Sequence, residues 1–212
     1  MVSSEDLEKL ANQCVKCGLC LPTCSTYRKV LTEEATPRGR VQLAKHFLYK
    51  TREGAEVPSK ELANAFYACT VCNACSTACP SQIKPSDVIQ EGREKIYASG
   101  AAPEPVKAIR ENIVSTSNVY AGKKEDRTAI YPASLREKIT QGDKPKQADT
   151  LLFLGCVASY LDMKIIPSLI KIMDAAGVDY TLLASEELCC GLPLKIMGDK
   201  ETFDQNASEV IA

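Results

Sequence analysis

Two short windows of this 212-residue chain hold eight of its eleven cysteines in one repeated spacing. The first reads Cys14-x-x-Cys17-x-x-Cys20-x-x-x-Cys24, and the second reads Cys69-x-x-Cys72-x-x-Cys75-x-x-x-Cys79-Pro80. A pattern this dense ties two distant stretches of chain to whatever the thiols hold. Disulfides are a poor account of it. Cysteine makes up about 5% of the residues, below the ~8–10% of short disulfide scaffolds. The number is odd, and no basic segment followed by an apolar run opens the sequence, so a reducing, cytoplasmic setting is expected. The longest uncharged apolar stretch, from Thr150 to Leu161, falls well short of the ~20 residues of a membrane helix.

The repeated spacing is that of bacterial ferredoxins, C-x₂-C-x₂-C-x₃-C-P, which binds iron–sulfur clusters. Three thiolates at three-residue steps wrap one corner of an iron–sulfide cube. The fourth is directed away, and in two-cluster ferredoxins it ligates the other cluster. Carried over here, one 4Fe-4S cluster takes Cys14, Cys17, Cys20 and Cys79, and the other takes Cys69, Cys72, Cys75 and Cys24. Structural zinc prefers separated cysteine pairs or Cys/His mixtures, and the chain has a single histidine. One departure from the pattern is Ser25, which stands after Cys24 in place of proline.

Apolar residues at i, i+3, i+4 and i+7 lead into both motifs: Leu7, Leu10, Ala11, Cys14 and Leu62, Ala65, Phe66, Cys69. Each series predicts an amphipathic helix, with Ser3 or Ser4 and then Ser59 as caps. Thr36-Pro37 opens a further helix carrying Val41, Ala44 and Leu48, and Pro85-Ser86-Asp87 opens one carrying Val88, Ile89 and Ile96. Residues 1–104 are thus expected to form a mostly helical two-cluster domain. Arg38 and Arg40 fall in the first turn of their helix, where the macrodipole disfavours cations. Two readings stand: surface arginines, or a residue that raises a cluster's potential beside a compensating anion. His46 reads as an ordinary helical residue and Tyr27 and Tyr67 as packing around the motifs.

Residues 1–104, 105–147 and 148–212 carry net charges of +1, +4 and −6. The middle segment, broken by Pro105, Gly122, Pro132, Gly142 and Pro145 and carrying short helical patterns such as Leu135 and Ile139, reads as an ordered basic connector. A solvated face is the first reading of its charge, and pairing with an acidic partner or with the acidic third segment is the alternative. It has no aromatic-interleaved basic stripe, so nucleic acid is not expected as a partner. In the third segment Thr150–Gly155 reads as a buried parallel strand, Met163–Ala176 as a helix stopped by Gly177, and Asp179–Ala184 as a second strand. Cys156 follows the first strand and Cys189-Cys190-Gly191-x-Pro193 follows the second, so the three sulfurs are expected together at the carboxyl edge. No Gly-x-Gly-x-x-Gly turn accompanies this α/β unit.

Cys156 and the later Cys189-Cys190-Gly191-x-Pro193 resemble the first part of the cysteine-rich CCG domain. Two ferredoxin motifs ahead of it, with Thr36-Pro37-Arg38-Gly39-Arg40 between them, resemble the D-type subunit of heterodisulfide reductase. The iron–sulfur subunits of glycolate oxidase and anaerobic glycerol-3-phosphate dehydrogenase share that arrangement. The resemblance implies a mostly α two-cluster ferredoxin-type domain followed by a truncated α/β CCG-type domain. It implies a further iron–sulfur cluster on Cys156, Cys189 and Cys190, with a completing Cys-x-x-Cys expected beyond Ala212. A buried or vicinal-disulfide pair is the alternative for Cys189-Cys190. The expected function is an electron-transfer subunit of an anaerobic-type oxidoreductase, with substrate chemistry at the CCG site or in a partner. Partners would be flavoprotein or iron–sulfur subunits, or a membrane cytochrome or quinone-linked subunit that holds the chain at the inner face of a membrane. A non-catalytic ferredoxin-like redox adaptor and a zinc-stabilised interaction protein are the competing readings.

Overall fold

The computed structural model describes residues 4–50, 57–129, 131–132, 135–136, 140–141 and 144–211. Ser3 and Ile139, named above as a cap and a connector residue, lie outside them. The chain divides into two compact units, Met1–Lys107 with Leu192–Phe203, and Ala108–Gly191 with Asp204–Ala212.

The first unit is helical. Ser4–Asn12 precedes the first cysteine window, and Lys60–Tyr67 precedes the second. Ser59 caps the latter, its hydroxyl accepting from the Leu62 amide at 3.2 Å. Pro37–Ala44 begins at Thr36, whose hydroxyl accepts from the Gly39 amide at 2.8 Å and donates to the Glu33 carbonyl at 2.7 Å. Proline at the first helical position costs no hydrogen bond. Pro85–Ala98 also starts with proline, here without a side-chain cap. The four helices bury Leu7, Ala11, Val41, Ala44, Ala63, Phe66, Val88, Ile89 and Ile96 in one core. Phe66 is fully buried, and its ring meets Phe47 edge-on at 6.4 Å.

Gly92 lets the Pro85–Ala98 helix approach that ring. A Cβ built there would lie 2.1 Å from Phe66 Cε1 and 2.6 Å from Cδ1. Helix propensity alone would make Gly92→Ala stabilising by about 1 kcal/mol. Overpacking a fixed, buried ring acts the other way, by roughly 1–3 kcal/mol. We expect net destabilisation of Gly92→Ala in chemical denaturation, and a rise in stability would overturn this account of the contact.

Leu192–Phe203 falls in the third segment by sequence but packs with the first unit. The Tyr67 hydroxyl donates to the Met197 carbonyl at 2.6 Å and the Tyr97 hydroxyl to the Asp199 carboxylate at 2.9 Å. Between these anchors Gly198 (φ +90°) passes so near the Arg93 backbone that a Cβ would sit 2.6 Å from it.

In the second unit Thr150–Leu151 pairs in parallel with Tyr180–Thr181, and the Ile165–Ala175 helix lies between them in sequence. Gly177, at φ +65°, ends that helix. Tyr131, Leu135, Ala158, Ile166, Ile170, Tyr180 and Leu182 form the core. The strand after Asp149 is not the fully buried one that its apolar run suggests. Leu152 and Leu154 pack against the core, whereas Leu151 and Phe153 are 53% and 39% exposed. A strand with one neighbour and one covered face buries every second residue only. Thr140–Gln141 and Lys144–Pro145 make a separate antiparallel pair.

The connector is more regular than its prolines suggest. Glu104–Thr116 is a helix with Val106 and Ile113 buried, and Pro105 sits in its first turn, where proline is tolerated. Its basic residues do not all face solvent either. Arg127 is buried against Glu187, whereas Lys146, exposed, pairs with Asp179 at the surface at 2.9 Å. Among the described residues no helix is long and apolar enough to cross a membrane.

Candidate iron–sulfur sites

The two cysteine windows fold alike. The residue before the second cysteine is left-handed in both, Lys16 at φ 58° and Val71 at φ 53°. The residue after it is left-handed too, Gly18 at φ 85° and Asn73 at φ 62°. A β-branched residue at positive φ is strained, and such strain gathers at functional sites. The turn aims backbone N–H groups at sulfur: the Val71 amide donates to Cys69 Sγ at 3.4 Å. Ser25, in place of the expected proline, starts the Ser25–Val30 helix directly after Cys24.

Each window forms most of a cavity, and each borrows one cysteine from the other window. Cys14, Cys17, Cys20 and Cys79 line one cavity, together with Gly18, Arg38, Val41 and Pro80. Cys69, Cys72, Cys75 and Cys24 line a second, with Thr26, Pro37, Arg40 and Ser86. Burial pushes the Cys75 thiol up to about 11, assisted by Cys69 and Cys20, and burial likewise raises Cys20. Cys72 moves down, because the Ala74 amide and the Thr70 hydroxyl donate to it. Among the described residues, no three His, Cys, Asp or Glu side chains are grouped as ligands of a single metal ion.

Arg38 lines the first cavity and Arg40 the second, while Arg93, which the helical period could have found, reaches the Cys69 backbone. Arg40 follows Pro37 by three and precedes Ala44 by four, and Arg93 follows Ile89 by four, so both lie on buried faces. Arg38 is held by Glu33 through Nε to Oε1 at 2.8 Å and Nη2 to Oε2 at 3.0 Å, and its Nη1 donates to the Lys16 carbonyl at 3.2 Å. Arg93 donates to the carbonyls of Phe66 (2.9 Å), Tyr67 (3.3 Å), Cys69 and Ile196 (2.9 Å). It thereby caps the last turn of the Lys60–Tyr67 helix with a charge of the sign the macrodipole favours. Arg40 is fully buried and donates from Nε to the Ala65 carbonyl at 2.6 Å, while Nη1 and Nη2 have no hydrogen-bond partner.

The second unit brings two of its three cysteines together. The Cys156 and Cys189 thiols are buried and share a hydrogen bond, and Cys190 is exposed beside them. The proton stays on Cys189, whose pKa is raised by donating to Cys156 and by burial. That bond lowers Cys156 against the cost of burial, with help from the Val119 amide and Arg127. Sequence reasoning missed the residues that build this pocket. Glu187 accepts from the amides of Leu154 and Gly155, both at 2.8 Å, and fixes the turn that presents Cys156. Arg127 pairs with Glu187 and lies over the Tyr160 ring at 5.3 Å. Asn118, also buried, accepts from the Tyr120 and Gly122 amides at 3.0 Å and donates to the Gly122 carbonyl at 2.8 Å. That network shapes the loop bearing the Val119 amide. A lone buried charge pair leaves no spacing signal; only the opposite charges of the two segments hinted at it.

Residues 10–83 match the 4Fe-4S dicluster domain, and residues 150–212 match the cysteine-rich CCG domain. The cofactors of the first are two 4Fe-4S clusters. The chain thus joins a 4Fe-4S dicluster domain to a cysteine-rich CCG domain. It is 27% identical to the glycolate oxidase iron-sulfur subunit of Escherichia coli, over 88% of this chain and 48% of that protein. It is 24% identical to the D-type subunit of the dihydromethanophenazine:CoB--CoM heterodisulfide reductase of Methanosarcina barkeri, over 90% of this chain and 48% of the relative. It is 22% identical to EtfAB:quinone oxidoreductase of Syntrophomonas wolfei, over 93% of this chain and 32% of that protein. The chain thus spans about half the length of the first two relatives. No solved structure matches it.

Proposed function

We propose that the chain is a one-electron relay in an oxidoreductase complex. In it, Cys14, Cys17, Cys20 and Cys79 hold one 4Fe-4S cluster, and Cys69, Cys72, Cys75 and Cys24 hold the other. The observation that carries this reading is the pair of cavities, each lined by three cysteines of one window and the fourth of the other. The residues fit such a group. The donors are all sulfur, and the loops bend to turn amides toward it. When bound, the clusters supply reversible one-electron transfer.

The protein's own work is positional. The strained loops set the cysteines, the Val71 amide hydrogen-bonds a ligand sulfur, and Arg93 ties the Cys69 backbone to the helix core. Donor, acceptor and substrate would belong to partners such as a flavoprotein, another iron–sulfur subunit or a quinone-linked protein, on the cytoplasmic side. Cys156, Cys189 and Cys190 would contribute to a further cluster; three sulfurs leave it in need of other ligands. Anaerobic purification should yield brown protein with about eight iron and eight sulfide per chain from the two cubanes. Colourless protein with stoichiometric zinc and no sulfide would sink the reading.

A further inference from the structure

The two cavities differ in one respect that the repeated motif does not foresee. Each receives an arginine from the Pro37–Ala44 helix, Arg38 at the first and Arg40 at the second. Arg38 is partly exposed and neutralised by both carboxylate oxygens of Glu33. Arg40 is 0% exposed, and both terminal nitrogens of its guanidinium lack a hydrogen-bond partner. Five N–H donors on a permanent cation, buried with one bond made, are costly unless an acceptor meets them. Sulfide and thiolate sulfur in the cavity that Arg40 lines would be such acceptors.

We propose that Arg40 makes the two cluster sites unequal. Its uncompensated charge raises the reduction potential of the cluster on Cys24, Cys69, Cys72 and Cys75 above that of the cluster on Cys14, Cys17, Cys20 and Cys79. A single electron delivered to the chain then rests at the Arg40 site. The inference relies on the cluster reading above. Its physics is that reduction adds one negative charge to the cluster, and a nearby fixed cation in a low-dielectric interior stabilises that charge. At the other site Glu33 offsets Arg38, so the same helix contributes little net charge there.

The test is an anaerobic potentiometric titration with dithionite as the one-electron donor, followed by electron paramagnetic resonance. Wild-type protein should reduce in two one-electron steps. Arg40→Gln should lower the upper step by at least about tenfold in its reduction equilibrium, near 59 mV for one electron, and leave the lower step in place. Arg40→Lys, which keeps the charge, should recover part of that shift. Glu33→Gln, which frees Arg38, should raise the lower step and narrow the gap. In Cys79→Ala the single surviving step should be the upper one. Fully loaded Arg40→Gln protein with both steps unmoved, or with the lower step moved, would overturn the proposal. If Arg40→Gln fails to load, an unmoved lower step in Glu33→Gln overturns it just as well. Wild-type protein without iron and sulfide would instead defeat the cluster reading on which it rests.

Discussion

Cys79→Ala should cost the protein the cluster at the first window, though Cys79 belongs to the second. The cavity it lines also holds Cys14, Cys17 and Cys20, with Pro80 on its wall. A cubane needs four protein ligands, so losing any one of these four should remove the same group. Single variants Cys79→Ala and Cys14→Ala are each expected to retain about four iron and four sulfide, half of the loaded value. The double variant should retain the same half, because both changes strike one site. Cys79→Ala combined with Cys69→Ala should retain close to none, since it strikes both. If each window served its own cluster, these outcomes would be reversed, with Cys14→Ala/Cys79→Ala losing everything. Iron and sulfide counts on the four proteins decide between the two arrangements without reference to any substrate.

Each window's last cysteine lines the other window's cavity, a placing that the two-cluster ferredoxin spacing made legible in the sequence. Three-residue steps close a loop, and the longer step to Cys24 or Cys79 leaves it. The helices around the windows were legible for a similar reason: Thr36, Ser59, Pro37 and Pro85 carry start signals, and Val41, Val88, Ile89 and Ile96 repeat at the helical period. What sequence did not show depends on packing between distant segments. Leu192–Phe203 joins the first unit through Tyr67, Tyr97 and Arg93, and no periodicity announces a partner more than a hundred residues away. The strand at Thr150 reads as wholly buried because its residues are uniformly apolar. Composition does not say how many neighbours a strand will find. In the pocket of Cys156, half of the supporting residues come from the connector, whose prolines masked a helix and an ordered Asn118 loop.

The second large effect concerns that pocket. Arg127 and Glu187 are 2% and 1% exposed at the side chain, and they form an ion pair. Each is satisfied from several directions: Glu187 by two amides of the turn before Cys156, Arg127 by the Ser159 hydroxyl at 3.4 Å and the face of Tyr160. Burial works against the charge on Arg127, and Glu187 and Tyr160 more than offset it, leaving its pKa raised. Removing one partner leaves the other charged, dry and alone, which costs roughly 3–5 kcal/mol. Arg127→Met and Glu187→Gln are therefore each expected to destabilise the second unit by about that much. Hydrogen exchange should localise the loss to residues 108–191 and leave amides of the Pro85–Ala98 helix protected. The double variant should be less destabilised than the two single losses combined, because it strands no charge. Simple additivity would mean that the pair is incidental and that the turn at Gly155 stands without it. The expected coupling instead makes the connector part of the cysteine pocket, where the Cys189 thiol and Arg127 both act to lower the Cys156 pKa.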